Sequence, residues 1–588
     1  MIRALVLLFV AAHVHAMVID PVDPAYGVAL MEIPRAATGA IARLYDIAVL
    51  PDGTVIAATI DQAEPSGCWA ATLYWFTPAG VPAGSKLVLP CVDGVTAIAA
   101  AVDGSLYLYG RPGGAAEPGP PRIWKLRADG TVDPSFGGAV PAVQSFARPT
   151  VEVLSDGTIT VGGTATLMRA GTPYYALAVV HMRPDGTPDA SFGTQGVAVA
   201  EPPTRPIFGQ EGGGMAHNAD GSVLVAGNIF EDDAGPKTYT DATVARFDAK
   251  GRLDRAYGRD GFAIPVPDAS TYVQRMVVRN GEAFVTVVQN RDIVSAFVAK
   301  VRANGTLDLG YGVGGIADLE DYLNSNFHPL VAVDGQGRAY VHYLDRVIRS
   351  KVVRFDPSGA RDPSFGLEGA AYLAVDGWTL TREGVLAMAG GRAYVAAGTF
   401  AEAEGPLRAG IGVARLAADG GHRAGVTAGK AIVYYNAALD HYFLTANPAE
   451  QALLDNGVTK GWRRTATSFG VVTTAVGDPD LTPVCRYYGR PEAHLDSHFF
   501  SAAPDECAAV AAKFGASWLL ETAAAFYVHP ADRTTGQCAR GSERVFRAFN
   551  NRADANHYYD VFANVPAGWT YEGYGPASRP TAFCAPLI

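Results

Sequence analysis

The chain has 588 residues, and it lacks several features that would assign a function directly. It carries 47 Lys and Arg against 58 Asp and Glu, so it has no cationic excess to attract nucleic acid or an anionic membrane. Beyond the N-terminus, no apolar run reaches the length that crosses a bilayer. We therefore expect no nucleic-acid partner and no membrane span.

Cysteine is scarce, with six residues in the whole chain and no CxxC or CxxH spacing, so no zinc site is expected. The first residues read "MIRALVLLFVAAHVHA". They contain a basic residue, then an apolar run, and then small residues before an expected cleavage point. This pattern predicts a secretory signal at 1–16; a buried N-terminal strand is the alternative. An even cysteine count fits disulfides in an exported chain, either secreted or periplasmic.

No GxSxG, HExxH or SxxK motif is present, so no nucleophile can be named together with its base. We accordingly predict no catalytic residue, no cofactor and no metal. An acidic segment at 231–241 lies in an enlarged loop; it has the residue types of a Ca²⁺ loop, but a solvated loop is the simpler interpretation.

What the chain does contain is a repeated pentapeptide. "DPSFG" occurs at 133–137 and 362–366, and the variants "DASFG", "DRAYG" and "DLGYG" begin at Asp189, Asp254 and Asp308. Each copy stands before the fourth strand of a unit of four short strands with Asp-Gly or Asn-Gly turns, in which glycine supplies the positive φ of a tight hairpin. The pentapeptide is therefore interpreted as a structural corner and not as a catalytic device.

Weaker copies near Ala83 and Arg423, and "DPAYG" at 23–27, extend the series to eight anchors enclosing seven intervals. Four-stranded units of this period predict an all-β, seven-bladed β-propeller over 17–425, with an open solenoid as the alternative. The last unit, near 380–423, has only three strands. The strand after "DPAYG" is therefore expected to complete the last blade and close the ring.

These units resemble the delta-60 repeat propellers of bacteria over about 23–425. The resemblance implies a propeller fold and an exported setting, but no particular reaction.

After a linker at 426–430, three aromatic-rich repeats fill 431–588. They carry His441, His498 and His557, which we align with one another, and the three aligned tryptophans Trp462, Trp518 and Trp569. Three copies with one Trp each predict a β-trefoil-like domain. The region resembles a repeat of unknown function at the C-termini of exported bacterial proteins. The first copy departs from it, because Thr465 stands where Glu521 and Glu572 follow their tryptophans.

The cysteine positions predict three disulfides. Cys68 and Cys91 both fall in the first propeller unit. Four cysteines in the C-terminal repeats allow three connectivities. Cys485 opens the second repeat and Cys507 follows its "HFF" strand, so we pair these, which leaves Cys538 with Cys584.

The function predicted from the sequence is that of an exported, non-catalytic binding or surface-interaction protein, monomeric, recognising glycan, cell-wall material or a protein. The alternative is an extracellular hydrolase with acidic residues in the propeller channel, for which two carboxylates about 5 to 10 Å apart would be evidence. The repeats place polar and aromatic residues together, and the predicted binding residues are Tyr435, Asn436, Asp440, His441, Asp496, His498, Asn550, Asn556 and His557. Packing is the alternative role for the histidines.

Overall fold

The structure is a computed structural model. It describes residues 22–33, 43–62, 69–113, 119–202, 207–208, 213–231, 239–267, 270–290, 294–319, 328–344, 350–373, 379–401, 408–421, 426–475, 479–538 and 541–587. The predicted signal at 1–16, residues 422–425, most of the 231–241 loop and Cys68 lie outside these residues. The predicted linker at 426–430 is described, and it forms the first part of a strand, Val426–Asn436. The chain divides into two compact units, one of them Pro21–Gly420 and the other containing Gly421–Ile588.

The first unit consists of antiparallel sheets built from period-2 apolar strands. Its strands are β1 (Val28–Ile33), β2 (Arg43–Val49), β3 (Val55–Gln62), β4 (Trp69–Phe76), β5 (Pro82–Ala100), β6 (Leu106–Pro112), β7 (Arg122–Leu126), β8 (Ser145–Val153), β9 (Ile159–Arg169), β10 (Thr172–Met182), β11 (Val197–Ala200), β12 (Ile207–Phe208), β13 (Gly214–His217), β14 (Val223–Glu231), β15 (Tyr239–Phe247), β16 (Phe262–Ala263), β17 (Thr271–Arg279), β18 (Glu282–Asn290), β19 (Val294–Val301), β20 (Ile316–Asp318), β21 (Leu330–Val333), β22 (Ala339–Leu344), β23 (Ser350–Phe355), β24 (Ala370–Leu373), β25 (Thr379–Ala389), β26 (Arg392–Ala401) and β27 (Arg408–Arg415).

Most of these strands form sheets of four or five in sequence order, such as β8 to β11, β17 to β20 and β21 to β24. One sheet has six strands, β2 to β7, because the 19-residue β5 runs without a turn from pairing with β4 into pairing with β6. The first strands of successive groups contact each other in the order β2, β5, β8, β13, β17, β21 and β25, and β25 contacts β2. The unit therefore has a β-propeller-like all-β fold.

The N-terminal strand pairs where the sequence predicted. β1 lies antiparallel to β27, with Val28 opposite Ala414 and Ile33 opposite Ala409, in a sheet ordered β1-β27-β26-β25. Just before β1, the Asp23 carboxylate accepts hydrogen bonds from Arg392 and Arg415. The first strand, β1, and the last three strands of this unit, β25, β26 and β27, thus form one sheet.

The pentapeptide is a corner that also links neighbouring sheets. In the copy at 189–193, Asp189 accepts a hydrogen bond from Ser191 N at 3.1 Å, and Phe192 is buried. Gly193 has φ +55°, and its N–H donates at 2.8 Å to Lys250 O, which follows β15 of the neighbouring sheet. A Cβ at Gly193 would lie 2.2 Å from Val197 O, so only glycine fits. The equivalent glycines at 258, 312 and 366 donate in the same way.

The second unit contains three small sheets around one hydrophobic core, which includes Val433, Phe500, Tyr559 and Phe583. Its strands are β28 (Val426–Asn436), β29 (His441–Thr445), β30 (Trp462–Ala475), β31 (Thr482–Pro483), β32 (Cys485–Gly489), β33 (His498–Ser501), β34 (Trp518–Thr522), β35 (Tyr527–Val528), β36 (Ser542–Phe549), β37 (His557–Asp560), β38 (Thr570–Glu572) and β39 (Phe583–Pro586). Each predicted repeat supplies a hairpin and a third strand that begins at or next to its tryptophan.

Two short helices, α1 (Pro448–Asp455) and α2 (Pro504–Phe514), were not expected. Both begin with proline, whose fixed φ suits a first helical turn, and the side chain of Asn447 caps α1 by accepting from Ala449 N at 2.9 Å. The disulfides Cys485–Cys507 and Cys538–Cys584 are both present, and Cys485–Cys507 ties α2 to β32. The Cys68–Cys91 pairing stays a prediction, because Cys68 is outside the described residues.

Candidate functional site

Most of the residues predicted to bind ligand in the C-terminal unit are buried. Asn436, His441, Asn550, Asn556 and His557 are each no more than 7% exposed. The remaining four, Tyr435, Asp440, Asp496 and His498, are partly or fully accessible.

The alignment of the three histidines is wrong by one position for the first repeat. His498 lies opposite Tyr488 and His557 opposite Phe549, but their equivalent in the first repeat is Tyr442, which lies opposite Tyr435. His441 is one residue earlier, at the position of Ser497 and Asn556. The sequence did not reveal this difference. The motifs "DH" in the first repeat, "DSH" in the second and "NH" in the third look alike, although "DSH" is one residue longer.

His441, Ser497 and Asn556 instead join consecutive repeats to each other. His441 Nδ1 lies 2.8 Å from Asp496 O, and Ser497 Oγ donates to Ala555 O at 3.0 Å. The Asn556 side chain accepts from Tyr442 N at 3.1 Å and so closes the cycle. These three side chains are satisfied within the protein, which favours the packing interpretation for His441.

His498 and His557 belong to charged networks between repeats. His557 Nε2 lies 3.5 Å from Glu572, and the buried Arg547 contacts Glu572 and, in a bidentate pair, Glu506 of α2. Burial lowers the pKa of His557 and, taken alone, would raise that of Glu572. The hydrogen bonds and charges of His557 and Arg547 outweigh this effect and hold the pKa of Glu572 below its usual value.

The second repeat has the same network, formed by His498, Glu521, Arg486 and Glu450 of α1. In the first repeat the equivalent positions hold Tyr442, Thr465 and Val433, and Thr465 Oγ1 donates to Val433 O at 2.8 Å. The three repeats therefore do not present three equivalent sites.

The accessible carboxylates of the predicted pockets are also engaged. Tyr435 donates its hydroxyl to Asp440 at 2.8 Å, and Tyr488 donates to Asp496 at 2.8 Å. Burial and the Asp496 carboxylate together raise the pKa of Tyr488 to about 12. Asp440 also forms an ion pair with Arg552 at 2.5 Å. This ion pair leaves the Asp440 carboxylate fewer free acceptor positions for a ligand.

A different site lies in the propeller-like unit, where the first strands of several groups are interrupted at one level. The ladder between β2 and β3 skips Tyr45, that between β5 and β6 skips Thr96, and that between β17 and β18 skips Gln274. Along β8 it skips Arg148 and Pro149, and along β25 it skips 381–383. Such β-bulges commonly redirect side chains beside functional sites.

The bulged residues with described side chains line one cavity of about 220 Å³. Its described lining consists of Leu44, Tyr45, Asp46, Thr96, Arg148, Pro149, Gln274, Arg275, His328, Leu330, Gly384, Val385 and Leu386. A second cavity of about 260 Å³ shares Asp46, Arg275 and Leu386 with the first. Strands from six groups, β2, β5, β8, β17, β21 and β25, thus contribute to one cleft between the inner strands.

Asp46 is the only carboxylate among the described lining residues of the first cavity. Its two oxygens accept hydrogen bonds from Ile47 N at 2.9 Å and Ile98 N at 3.1 Å. Burial raises the pKa of Asp46, while the positive charge of Arg275 and these two hydrogen bonds act in the opposite direction.

Polar neighbours complete the cavity wall. His328 Nδ1 lies 2.6 Å from Gln274 Oε1, and burial together with the charge of Arg148 lowers the pKa of His328 to about 4. His328 is therefore neutral at physiological pH. Thr96 Oγ1 has no hydrogen-bond partner although it is buried, so one polar atom beside the cavity is unsatisfied.

The sequence prediction missed all of these cavity residues. A signal was present, since Asp46, Arg148-Pro149 and Arg275 interrupt the apolar alternation of "RLYDIAV", "SFARPTVEV" and "TYVQRMVVR". A charge or a proline inside a strand marks a bulge or a function.

In the part of the chain that the structure describes, no group of three or more His, Cys, Asp or Glu residues is placed to hold a metal ion. No described helix is long and apolar enough to cross a membrane.

A family model described as "Domain of unknown function (DUF5648)" matches residues 431–578, in agreement with the resemblance predicted for the C-terminal repeats. No curated protein matches the chain. A polysaccharide lyase is similar at 12% identity and TM-score 0.39, covering 65% of this chain and 92% of its own. The α-L-arabinanase of Penicillium chrysogenum has 11% identity and TM-score 0.34, covering 66% and 96%. The β-propeller domain of the Trilobed protease from Pyrococcus furiosus has 9% identity and TM-score 0.35, covering 62% and 94%. The delta-60 resemblance stays a prediction.

Proposed function

We propose that this chain is an exported, non-catalytic glycan-binding protein, in which a seven-bladed propeller of the delta-60 type binds the ligand in the cleft between its inner strands. The β-trefoil-like C-terminal unit is attached to it, and the protein acts as a monomer. The observation that carries this proposal is the set of bulges at one level. Five inner strands lose ladder pairing there, and the bulged residues of four of them, β2, β5, β8 and β17, line one cavity.

The composition of the cavity suits a saccharide. Sugars are bound by aromatic faces together with planar polar groups, and the cavity offers Tyr45, Gln274 and Thr96 beside apolar walls. Its volume of about 220 Å³ is that of a small site, which fits one or two sugar units of a longer chain.

The export setting and the blade count have independent support. Two disulfides are typical of proteins that fold in an oxidising compartment. Seven inner strands that contact one another in a closed cycle, with β1 completing the sheet of β25 to β27, support a seven-bladed ring.

The hydrolase alternative needs a second carboxylate. Glycoside hydrolysis uses two carboxylates on either side of the scissile bond, and the described lining of this cavity supplies only Asp46. The accessible C-terminal residues Tyr435, Asp440, Asp496 and His498 stay candidates for a second, weaker contact with a polymer.

The test is calorimetric titration of the chain from residue 17 with short saccharides, both neutral and acidic. Tyr45→Ala should weaken binding by about tenfold, because it removes the aromatic face of the cavity. Tyr175→Ala is the matched control, since Tyr175 is 41% exposed on β10 and does not line the cavity.

Equal affinity of the wild type and Tyr45→Ala would move recognition away from the cavity. Shortened products after incubation with a bound polysaccharide would instead favour the hydrolase alternative.

A further inference from the structure

Arg275 occupies an unusual place in the cleft. It follows the bulged Gln274 on β17, lines both cavities and is partly exposed to them. Its backbone N–H donates a hydrogen bond to Thr286 Oγ1 at 3.0 Å. Its guanidinium forms no hydrogen bond or ion pair with any residue that the structure describes.

The nearby Asp46 does not form an ion pair with the Arg275 guanidinium. The Asp46 carboxylate is oriented by the backbone N–H groups of Ile47 and Ile98, at 2.9 and 3.1 Å, and it lies beyond ion-pair distance of Arg275. Arg275 thus lines the cavity, and no described residue offers its guanidinium a planar acceptor. Arginine normally pairs with such an acceptor, a carboxylate or a phosphate.

The described lining of the first cavity holds one carboxylate, Asp46, and it does not pair with Arg275. Arg148 lines the same cavity but has a partner of its own, and His328 is neutral. The whole chain has a net charge of −11. An arginine without a described partner is therefore a local positive site in an acidic protein, and it selects for an anionic ligand.

We propose that the cleft binds an acidic saccharide, with the carboxylate of a uronic acid unit held in a bidentate pair by Arg275. The inference rests on the proposed function and adds the ligand class to it. Gln274 and Thr96 face the same space and offer hydrogen bonds to the hydroxyl groups of the sugar.

The test is calorimetric titration of the wild-type chain with three probes: tetragalacturonate, its methyl ester and a neutral galactose tetramer. Tetragalacturonate should bind about 30-fold more tightly than its ester, and raised salt should weaken only the acidic probe. Because this comparison uses the unaltered protein, it does not depend on whether any variant folds.

Arg275→Gln should remove the preference for the acid, and Arg275→Lys should restore only part of it, since lysine lacks the planar fork. Arg279→Gln is the control: Arg279 lies at the end of the same strand, where it donates to Gly335 O at 3.2 Å outside both cavities.

The outcomes separate the two proposals. If the ester and the neutral tetramer bind as tightly as the acid, and Tyr45→Ala weakens all three, the cleft is a glycan site and the acidic ligand is overturned. An Arg275→Gln variant that keeps the preference for the acid overturns it as well. If none of the three probes binds, the acidic ligand is again overturned, and the neutral saccharides in the wider titration then decide the proposed function.

Discussion

At the scale of single residues, two arginines of the C-terminal unit hold neighbouring carboxylates of α2 in the same geometry but in different surroundings. Arg547 pairs with Glu506 through two hydrogen bonds of 3.0 and 2.6 Å, and its side chain is 5% exposed. Arg533 pairs with Asp505 at 3.0 and 2.7 Å, and both side chains are about 60% exposed. The two pairs differ in solvent access, which decides what each contributes.

We expect Arg547→Met to lower the free energy of unfolding of the C-terminal unit by about 3 kcal/mol, because it leaves Glu506 and Glu572 without their cation. Arg533→Met should leave the denaturation midpoint unchanged within error. Urea unfolding of both variants measures the difference. Similar effects of the two substitutions would show that burial does not control these pairs.

The acid sensitivity of the propeller-like unit should depend on His342. This side chain is buried, Nε2 lies 2.8 Å from Ser350 Oγ, and burial lowers its pKa to about 4. The folded pKa lies below the ordinary value of about 6.5, so the stabilisation is complete above pH 6.5 and is lost as pH falls towards 4.

Between pH 7 and pH 4.5, unfolding should become easier by about 2 kcal/mol from His342 alone. His342→Gln should be less stable at pH 7 but should lose less on acidification. Urea titrations of the two proteins at both pH values test this. His328, with the same pKa direction, supplies a second contribution that the substitution leaves in place.

The C-terminal repeats illustrate what residue patterns leave open. Trp462, Trp518 and Trp569 were aligned correctly, because Trp462 lies opposite Asn436 and Trp518 lies opposite Gly489 at the same strand position. The histidines were not, since hairpin loops of different length shift a motif by one residue without changing its appearance. Strand register, which decides the facing partner, is set by the three-dimensional pairing and not by motif spacing.

At the scale of elements, the repeated pentapeptide was predicted to be a structural corner, and the structure shows it as one. The aspartate turn, the buried aromatic and, in the copies that end at Gly193, Gly258, Gly312 and Gly366, the positive φ of the glycine follow from local chemistry. The bulges of β2, β5, β8 and β17 were not predicted, because a single unpaired residue depends on the neighbouring strand as much as on its own. The candidate site consists of those unpredicted residues.

The pairing of β1 with β27 leads to a prediction at this scale. A chain that begins at residue 35 instead of residue 17 should lose several kcal/mol of stability, because β27 becomes an open edge and Arg415 loses the Asp23 carboxylate. Comparison of the melting temperatures of the two chains tests it, with the chain from residue 17 as the control. An unchanged melting temperature would mean that β1 contributes little to the closure of this sheet.

At the scale of the whole molecule, the all-β class followed from composition and repeat period. These properties are averages over many residues and tolerate local errors. The location of a binding cleft is not such an average. It requires Tyr45, Arg148 and Arg275 to lie around one cavity, although 103 residues separate the first two and 127 residues the last two. No local sequence pattern encodes such a long-range arrangement.

Each unit has its own buried core. Residues from 431 to 585 form one, and residues between 22 and 416 form the others. We therefore expect the fragments 17–425 and 430–588 to fold separately, so that their circular dichroism spectra add up to that of the chain from residue 17. Reduction should lower the melting temperature of 430–588, because Cys485–Cys507 and Cys538–Cys584 close loops across 22 and 46 residues. Loops of this size are each stabilised by about 3 to 4 kcal/mol when cross-linked. A fragment 430–588 that is unfolded while oxidised would show that its core depends on the remainder of the chain.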